Sequence, residues 1–331
     1  MNATPRLLIV GTGGTIAGAG ASPDLSTRYE AAKVPIEALA GAVPGLAGGA
    51  ELVYAQPVQK ASYEIDIADW LAIRRAVLAG LADPRTAGVV ITHGTDTLEE
   101  TAFLLHHSVA DPRPIVLTGA MRPGTAHSPD GPANVFNAAR VALAATSRGR
   151  GVLAVMNERI HGAAFVRKKH FASVEAFDSG SVGELGTVAD GVPQFHRDPD
   201  PGLARRPIFT PADDLPRVPI LFGHAGLDAA TLAALVASRP AGLVLAGTGN
   251  GNLPSALHPA IAQAVREGIV VVRASRGLEG SITRDSPMFA DARAGTLTAG
   301  RLSPQKARVL LMLALAAGAP RTDLQGLFDA A

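Results

Sequence analysis

Apolar runs and amphipathic stretches alternate along most of this chain. Residues 7–10 are four apolar positions ending in Gly11, the pattern of a short strand buried on both faces. Residues 52–55 predict a second strand. Residues 68–81, ADWLAIRRAVLAGL, place apolar side chains at helical spacing with charges between them. Residues 88–92, 115–118 and 151–156 predict further buried strands, with helices over 98–109 and 134–145 between them. This β-α-β-α order implies a parallel sheet covered on both faces.

The rhythm breaks over residues 193–219, rich in Pro, Asp and Arg, which reads as a linker. The alternation then resumes, with strands over 220–222, 243–245 and 269–272 and helices over 229–237, 259–267 and 304–317. The expected organisation is an N-terminal α/β domain over 1–192, a linker over 193–219 and a C-terminal α/β domain over 220–331. The fold class is α/β, with a larger, mostly parallel, doubly wound N-terminal sheet and a smaller second domain.

Composition fits this picture. A chain of 331 residues, 47% hydrophobic and 18% charged, has ample material for two packed domains. The net charge of +1 gives no field to favour nucleic acid or an anionic membrane. Basic runs such as Arg167-Lys168-Lys169 exist, but aromatics are 4% of the chain and no stacking platform is visible. The absence of cysteine rules out disulfides, thiolate metal sites and a cysteine nucleophile. The nine histidines show no metal-ligand spacing such as H-E-x-x-H, so no metal is expected. Residues 309–319 are too few to span a bilayer. The start MNATPRLLIV has no charged n-region or long apolar core, so the expected location is the cytoplasm; a leader removed ahead of Met1 would place it in the periplasm.

The candidate chemistry begins in the first turn. Residues 7–18, LLIVGTGGTIAG, pass from strand into a glycine turn that carries Thr12 and Thr15. Ile16 stands where a dinucleotide fingerprint starting at Gly11 needs its third glycine, and no P-loop lysine follows. What remains is a hydroxyl on a tight turn at the carboxyl end of a strand, where open α/β sheets bind ligands. Thr15 there is either a nucleophile or, like Thr12, a partner for loop backbone. A second loop, Thr92-His93-Gly94-Thr95-Asp96-Thr97, leaves another strand on the same edge. Thr97 with Glu100, or Asp96 with Glu99, fits a capping box. Alternatively Thr95 and Asp96 share a cleft with Thr15, with a lysine beyond residue 156, Lys168 or Lys169, as base. Asp130 reads as a turn or cap residue, and residues 247–252, GTGNGN, as a tight turn or a ligand wall.

Taken together, TGGTIAG at 12–18, ITHGTDTLEETA at 91–102, GAMRP at 119–123, SPDGPANVFNA at 128–138, GNGNL at 249–253 and SPQKARVLL at 303–311 resemble the bacterial-type L-asparaginase/glutaminase family. The resemblance spans nearly the whole chain. It implies hydrolysis of L-asparagine to L-aspartate and ammonia without a cofactor. It also implies a homotetramer of intimate dimers, with the sites at the intimate interface. By this likeness Thr15 is the nucleophile that forms an acyl-enzyme, and Tyr29 stands beside it. Thr95, Lys168 and Asp96 form a second hydroxyl-lysine-carboxylate set, and Asp96 also holds the substrate ammonium. Ser62 and Tyr63 lie at the α-carboxylate and α-amino positions, the Ala120 carbonyl meets the amide, and Asn252 comes from a neighbouring subunit. Two positions depart from the family pattern. Tyr63 replaces a common glutamine, with Glu64 following, and Pro287 replaces a glutamate that reaches the substrate amine. Amine recognition is therefore expected to rest more heavily on Asp96. A dual glutaminase-asparaginase and a non-catalytic amino-acid-binding module are the alternative readings, since fold does not fix function.

Overall fold

The structure is a computed structural model that describes residues 4–24, 26–198, 206–211 and 214–331. It divides into two units, Met1–Ala204 and Arg205–Ala331. The first runs β1 (Arg6–Gly11), β2 (Ala19–Gly20), β3 (Tyr29–Glu30), α1 (Ile36–Gly41), β4 (Glu51–Ala55), α2 (Ile67–Leu81), β5 (Thr86–Thr92) and α3 (Leu98–His106). It continues with β6 (Ile115–Thr118), α4 (Gly131–Leu143), β7 (Val152–Met156), β8 (Arg159–Gly162), β9 (Arg167–Lys168), β10 (Phe177–Asp178), β11 (Gly186–Ala189) and β12 (Val192–Phe195).

Eight of these strands form one sheet in the order β12-β11-β8-β7-β6-β5-β1-β4. The block β4-β1-β5-β6-β7 is parallel throughout. Its strands read as continuous apolar runs because both faces are covered: Leu7, Ile9 and Val10 of β1 and Val89, Val90 and Ile91 of β5 have no exposed surface. The order reverses at β1, whose neighbours are β4 on one side and β5 on the other. The carboxyl ends of β1 and β5 therefore flank the topological switch point, where connections diverge to opposite faces and leave a crevice.

The three remaining strands of the sheet are antiparallel, which the alternation of elements did not predict. Two-residue turns make their hairpins. Asn157 and Glu158 join β7 to β8 with φ of 49° and 64°, and Asp190-Gly191 joins β11 to β12 with φ of 51° and 74°. Left-handed backbone at both central residues matches the twist of the flanking strands. Residues 193–195, at the start of the expected linker, are thus strand; linker residues 199–205, 212 and 213 lie outside the described residues.

The second unit contains β13 (Ile220–Phe222), α5 (Ala229–Ala237), β14 (Gly242–Gly247), α6 (His258–Arg266), β15 (Val270–Ser275), α7 (Asp291–Ala294), β16 (Leu297–Thr298), α8 (Pro304–Ala316) and α9 (Leu324–Asp329). Its sheet, β13-β14-β15-β16, is parallel. Leu243, Val271, Leu257 and Ile261 fill its core.

Candidate active site

The turn after β1 lies at the switch point. Thr12 is fully buried and serves backbone, donating its hydroxyl to the Thr92 carbonyl at 3.0 Å. The Gly14 amide donates to the Lys60 carbonyl at 2.9 Å. Gly14 has φ of 78°, and a Cβ there would sit 2.3 Å from the Gly94 Cα. Only glycine lets the two loops touch. Thr15 and Thr95, each directly after one of these glycines, therefore leave adjoining loops. Thr15 begins a short 3₁₀ turn and is buried, with its Oγ1 2.6 Å from the Tyr29 hydroxyl. Tyr29 comes back over the loop on the small ribbon of β2 and β3.

A second hydroxyl set forms beyond β5. The Lys168 Nζ donates to Thr95 Oγ1 at 2.8 Å and to Asp96 Oδ1 at 2.6 Å. Lys168 is not in open loop but in β9, paired with β10 through Phe177 and braced by the Arg167–Asp178 ion pair at 2.7 Å. Neither expected capping box forms. Thr97 stands at the N-cap without a side-chain cap and donates its hydroxyl to the Ser62 carbonyl at 2.8 Å. Asp96 turns to Lys168, and the buried Glu99 carboxylate accepts the Lys168 backbone N–H at 2.6 Å. With Lys168 both partners of Asp96 are charged, whereas at a cap only the carboxylate would be, so the long-range ion pair wins over the local bond.

Ser62 lies buried in a 3₁₀ turn, Ser62–Glu64, and its Oγ accepts the Asp96 N–H at 3.2 Å. Its own O–H proton is then free to donate to a bound carboxylate. Tyr63 projects outward, 71% exposed. Ala120, just past β6, has no exposed surface. The first unit thus brings together Thr15, Tyr29, Ser62, Thr95, Asp96 and Lys168. Asn252 and Pro287 belong to the second unit. There Asn252 closes a turn by exchanging backbone hydrogen bonds with Thr248 at 2.7 and 2.9 Å. No trio of His, Asp and Glu among the described residues is arranged to hold a metal ion.

Behind Thr95 a buried relay fixes the loop. The Trp70 indole donates to Thr101 Oγ1 at 2.9 Å, Thr101 Oγ1 lies 3.0 Å from His93 Nε2, and His93 Nδ1 lies 2.7 Å from the Gly94 carbonyl. With the indole able only to donate, the chain is satisfied when His93 carries its proton on Nδ1. Burial pushes the imidazole down to about 4, against a weaker upward pull from the Gly94 carbonyl. An unfolded histidine titrates near 6.5, so between the two values the unfolded chain binds the extra proton and stability rises with pH. Acidification from pH 6.5 to 4 is expected to remove on the order of 3 kcal/mol through His93. Urea titrations at pH 7 and 4.5 check this: wild type should lose more stability than His93→Asn, and equal losses would refute it.

Glu99, Asp130 and His93 support the site without having been singled out for it. Glu99 carried only a capping signal and Asp130 only a turn or cap signal, and the partners of both are remote in sequence or on backbone.

Known proteins resemble the chain over nearly its whole length. Residues 6–201 match the N-terminal asparaginase family model, and residues 217–328 match the glutaminase/asparaginase C-terminal domain. The chain is 40% identical over 316 residues to a probable periplasmic L-asparaginase of Haemophilus influenzae, covering 94% of this chain and 88% of that one. It is 38% identical over 328 residues to a glutaminase-asparaginase of Acinetobacter glutaminasificans, covering 98% of each. The crystal structure of a probable cytoplasmic L-asparaginase from Campylobacter jejuni superposes with a TM-score of 0.90 at 34% identity, covering 99% of this chain and 100% of that one. The chain belongs to the asparaginase/glutaminase family.

Proposed function

We propose that this protein is an L-asparaginase that hydrolyses L-asparagine to L-aspartate and ammonia through an acyl-enzyme on Thr15. One observation carries the reading: two hydroxyl sets, Thr15 with Tyr29 and Thr95 with Lys168 and Asp96, open from adjoining loops at the switch point. Amide hydrolysis by a hydroxyl needs a nucleophile, a proton path for a poor leaving group and a second activation for water. The Thr15 oxygen attacks the side-chain amide carbon, and its proton passes toward Tyr29. The C–N bond breaks, nitrogen leaves as ammonia, and an ester to Thr15 remains. Water assisted by Thr95, Lys168 and Asp96 then cleaves the ester, giving aspartate and restoring the Thr15 hydroxyl.

The same groups suit a zwitterionic amino acid. Asp96 is 56% exposed and accessible to the substrate ammonium. Ser62 has a hydroxyl proton for the α-carboxylate, and the Ala120 carbonyl accepts the amide N–H. Tyr63 points outward, so it does not take over the family glutamine's contact within the chain. We include in the proposal a homotetramer of intimate dimers, with Asn252 supplied by a neighbouring subunit, no cofactor and a cytoplasmic location. The names of the relatives divide between periplasm and cytoplasm. No helix among the described residues is long and apolar enough to cross a membrane.

The Acinetobacter glutaminasificans relative favours a second reading, a dual glutaminase-asparaginase. One methylene separates the substrates, worth about 1–3 kcal/mol in a pocket. Ammonia release by the purified protein from L-asparagine and L-glutamine tests both readings. We expect turnover of L-asparagine with kcat/KM exceeding that for L-glutamine by roughly 10-fold or more. Comparable values would establish the dual enzyme, and no release from either amide would leave the amino-acid-binding module.

A further inference from the structure

Asp130 immediately precedes α4 and would ordinarily cap it, yet its carboxylate makes no cap bond to the helix backbone. It accepts the Met121 N–H at 2.9 and 3.2 Å, the Arg122 N–H at 2.9 Å and the Asn134 side-chain amide at 3.1 Å. Asn134 is itself buried and held at both ends. Its Nδ2 donates to the Gly119 carbonyl at 3.0 Å, and its Oδ1 accepts the Asn157 N–H at 2.9 Å. The Asp130 carboxylate and the Asn134 amide thus lock the loop after β6, and the amide ties it to the Asn157 turn.

The lock acts on one particular peptide unit. The Ala120 carbonyl and the Met121 N–H belong to the same planar trans peptide, so they point in opposite directions. Holding the Met121 N–H on Asp130 aims the Ala120 oxygen away from Asp130. Among the described residues no protein donor reaches that oxygen, although Ala120 has no exposed surface. A buried carbonyl without a partner is costly, and almost all such groups in folded proteins are paired. A donor on a bound ligand would relieve that cost. The loop also adjoins the second hydroxyl set: a Cβ on Gly119 would lie 3.1 Å from Thr95 Cγ2.

We propose that Asp130 is a positioning residue that fixes the Ala120 carbonyl as the acceptor for the substrate's amide N–H, and so gives the site its preference for amides over esters. The proposal rests on the asparaginase reading above. Asp130 touches no reacting atom; it sets the direction of one that does. An amide has N–H protons for the carbonyl, and an ester has only a lone-pair oxygen, which that carbonyl repels.

The test compares L-asparagine with the β-methyl ester of L-aspartate in wild type, Asp130→Ala and Asp130→Asn. It reads kcat/KM, which reports steps through acyl-enzyme formation. With the carbonyl freed to turn, kcat/KM for the amide is expected to fall about 30- to 100-fold, since small misplacements at a reacting centre cost up to that much. The ester is expected to stay within about 3-fold, because it makes no such hydrogen bond. Asp130→Asn keeps one acceptor oxygen and should show the same pattern more weakly, and it carries the comparison if Asp130→Ala does not fold. Parallel loss on both substrates would mean a structural role only and would overturn the proposal, as would no loss on either. Wild type that turns over neither substrate would refute the asparaginase reading itself.

Discussion

Replacing Thr15 with alanine is expected to lower kcat for L-asparagine by about 10³-fold or more, with the far-UV CD spectrum and melting temperature close to wild type. The side chain is buried, but among the described residues its hydroxyl bonds only the Tyr29 hydroxyl at 2.6 Å, so truncation removes the attacking oxygen without opening the β1–β5 ladder. Lys168→Met is expected to lose about 10²- to 10⁴-fold, the usual worth of a positioned proton-transfer group. If the two sets act in one reaction, the double variant is hardly worse than Thr15→Ala alone, because groups that work as a unit are not additive. Acid quenching during turnover followed by peptide mass analysis should find the acyl adduct on the peptide containing Thr15. Adduct on the Thr95 peptide, or Thr15→Ala within 10-fold of wild type, would assign the nucleophile to the other set.

The position of this chemistry was legible for a reason that goes beyond motif matching. Ile16 removed the nucleotide reading of the glycine turn, and the order of predicted strands placed both threonine loops at carboxyl ends. The observed order, with β1 between β4 and β5, then made those two ends the switch point. Local pattern separated Thr12 from Thr15 poorly, since both sit in the same turn; only the packed sheet shows that Thr12 is bonded to Thr92 while Thr15 is not. Asp96 was ambiguous in the same way, a cap by local spacing and a partner of Lys168 by the family resemblance. Its spacing to Glu99 is that of a cap, but Lys168 lies 72 residues on and no local rule reports it. Lys168 itself sits on a two-residue strand, too short to leave a period in the sequence. The antiparallel extension escaped because strands of four residues look like loop between longer runs. Asp190-Gly191 was the turn signal that marked one of its hairpins. Asp130 shows the limit from the other side: its partners are mostly backbone amides, which every residue carries, so side-chain pattern is silent about them.

The largest effect on stability is expected in the second unit, where Asp291→Ala should cost about 3–5 kcal/mol. Arg273 of β15 and Asp291 at the start of α7 have no exposed surface and pair through two bonds, Nε to Oδ1 at 2.9 Å and Nη2 to Oδ2 at 2.7 Å. Asp291 also accepts the Thr296 hydroxyl at 2.8 Å and the Asp285 N–H at 3.0 Å. Arg273 also donates to the carbonyls of Asn250 and Thr283. The pair is thereby the tie between the loop that carries Asn252 and the segment that carries Pro287, the two positions of this unit that the family pattern singles out. Removing the carboxylate strands a guanidinium away from water, and the penalty is that of the orphaned charge rather than the worth of the pair. Arg273→Met with Asp291→Leu removes both charges and fills similar volume, so it should cost less than Asp291→Ala alone. Urea unfolding followed by far-UV CD decides this, read from midpoints at unchanged slope. A single variant within about 1 kcal/mol of wild type would show the pair to be ordinary surface-like pairing. A double variant worse than the single would show that the carbonyl bonds to Asn250 and Thr283, not the ion pair, hold the two loops.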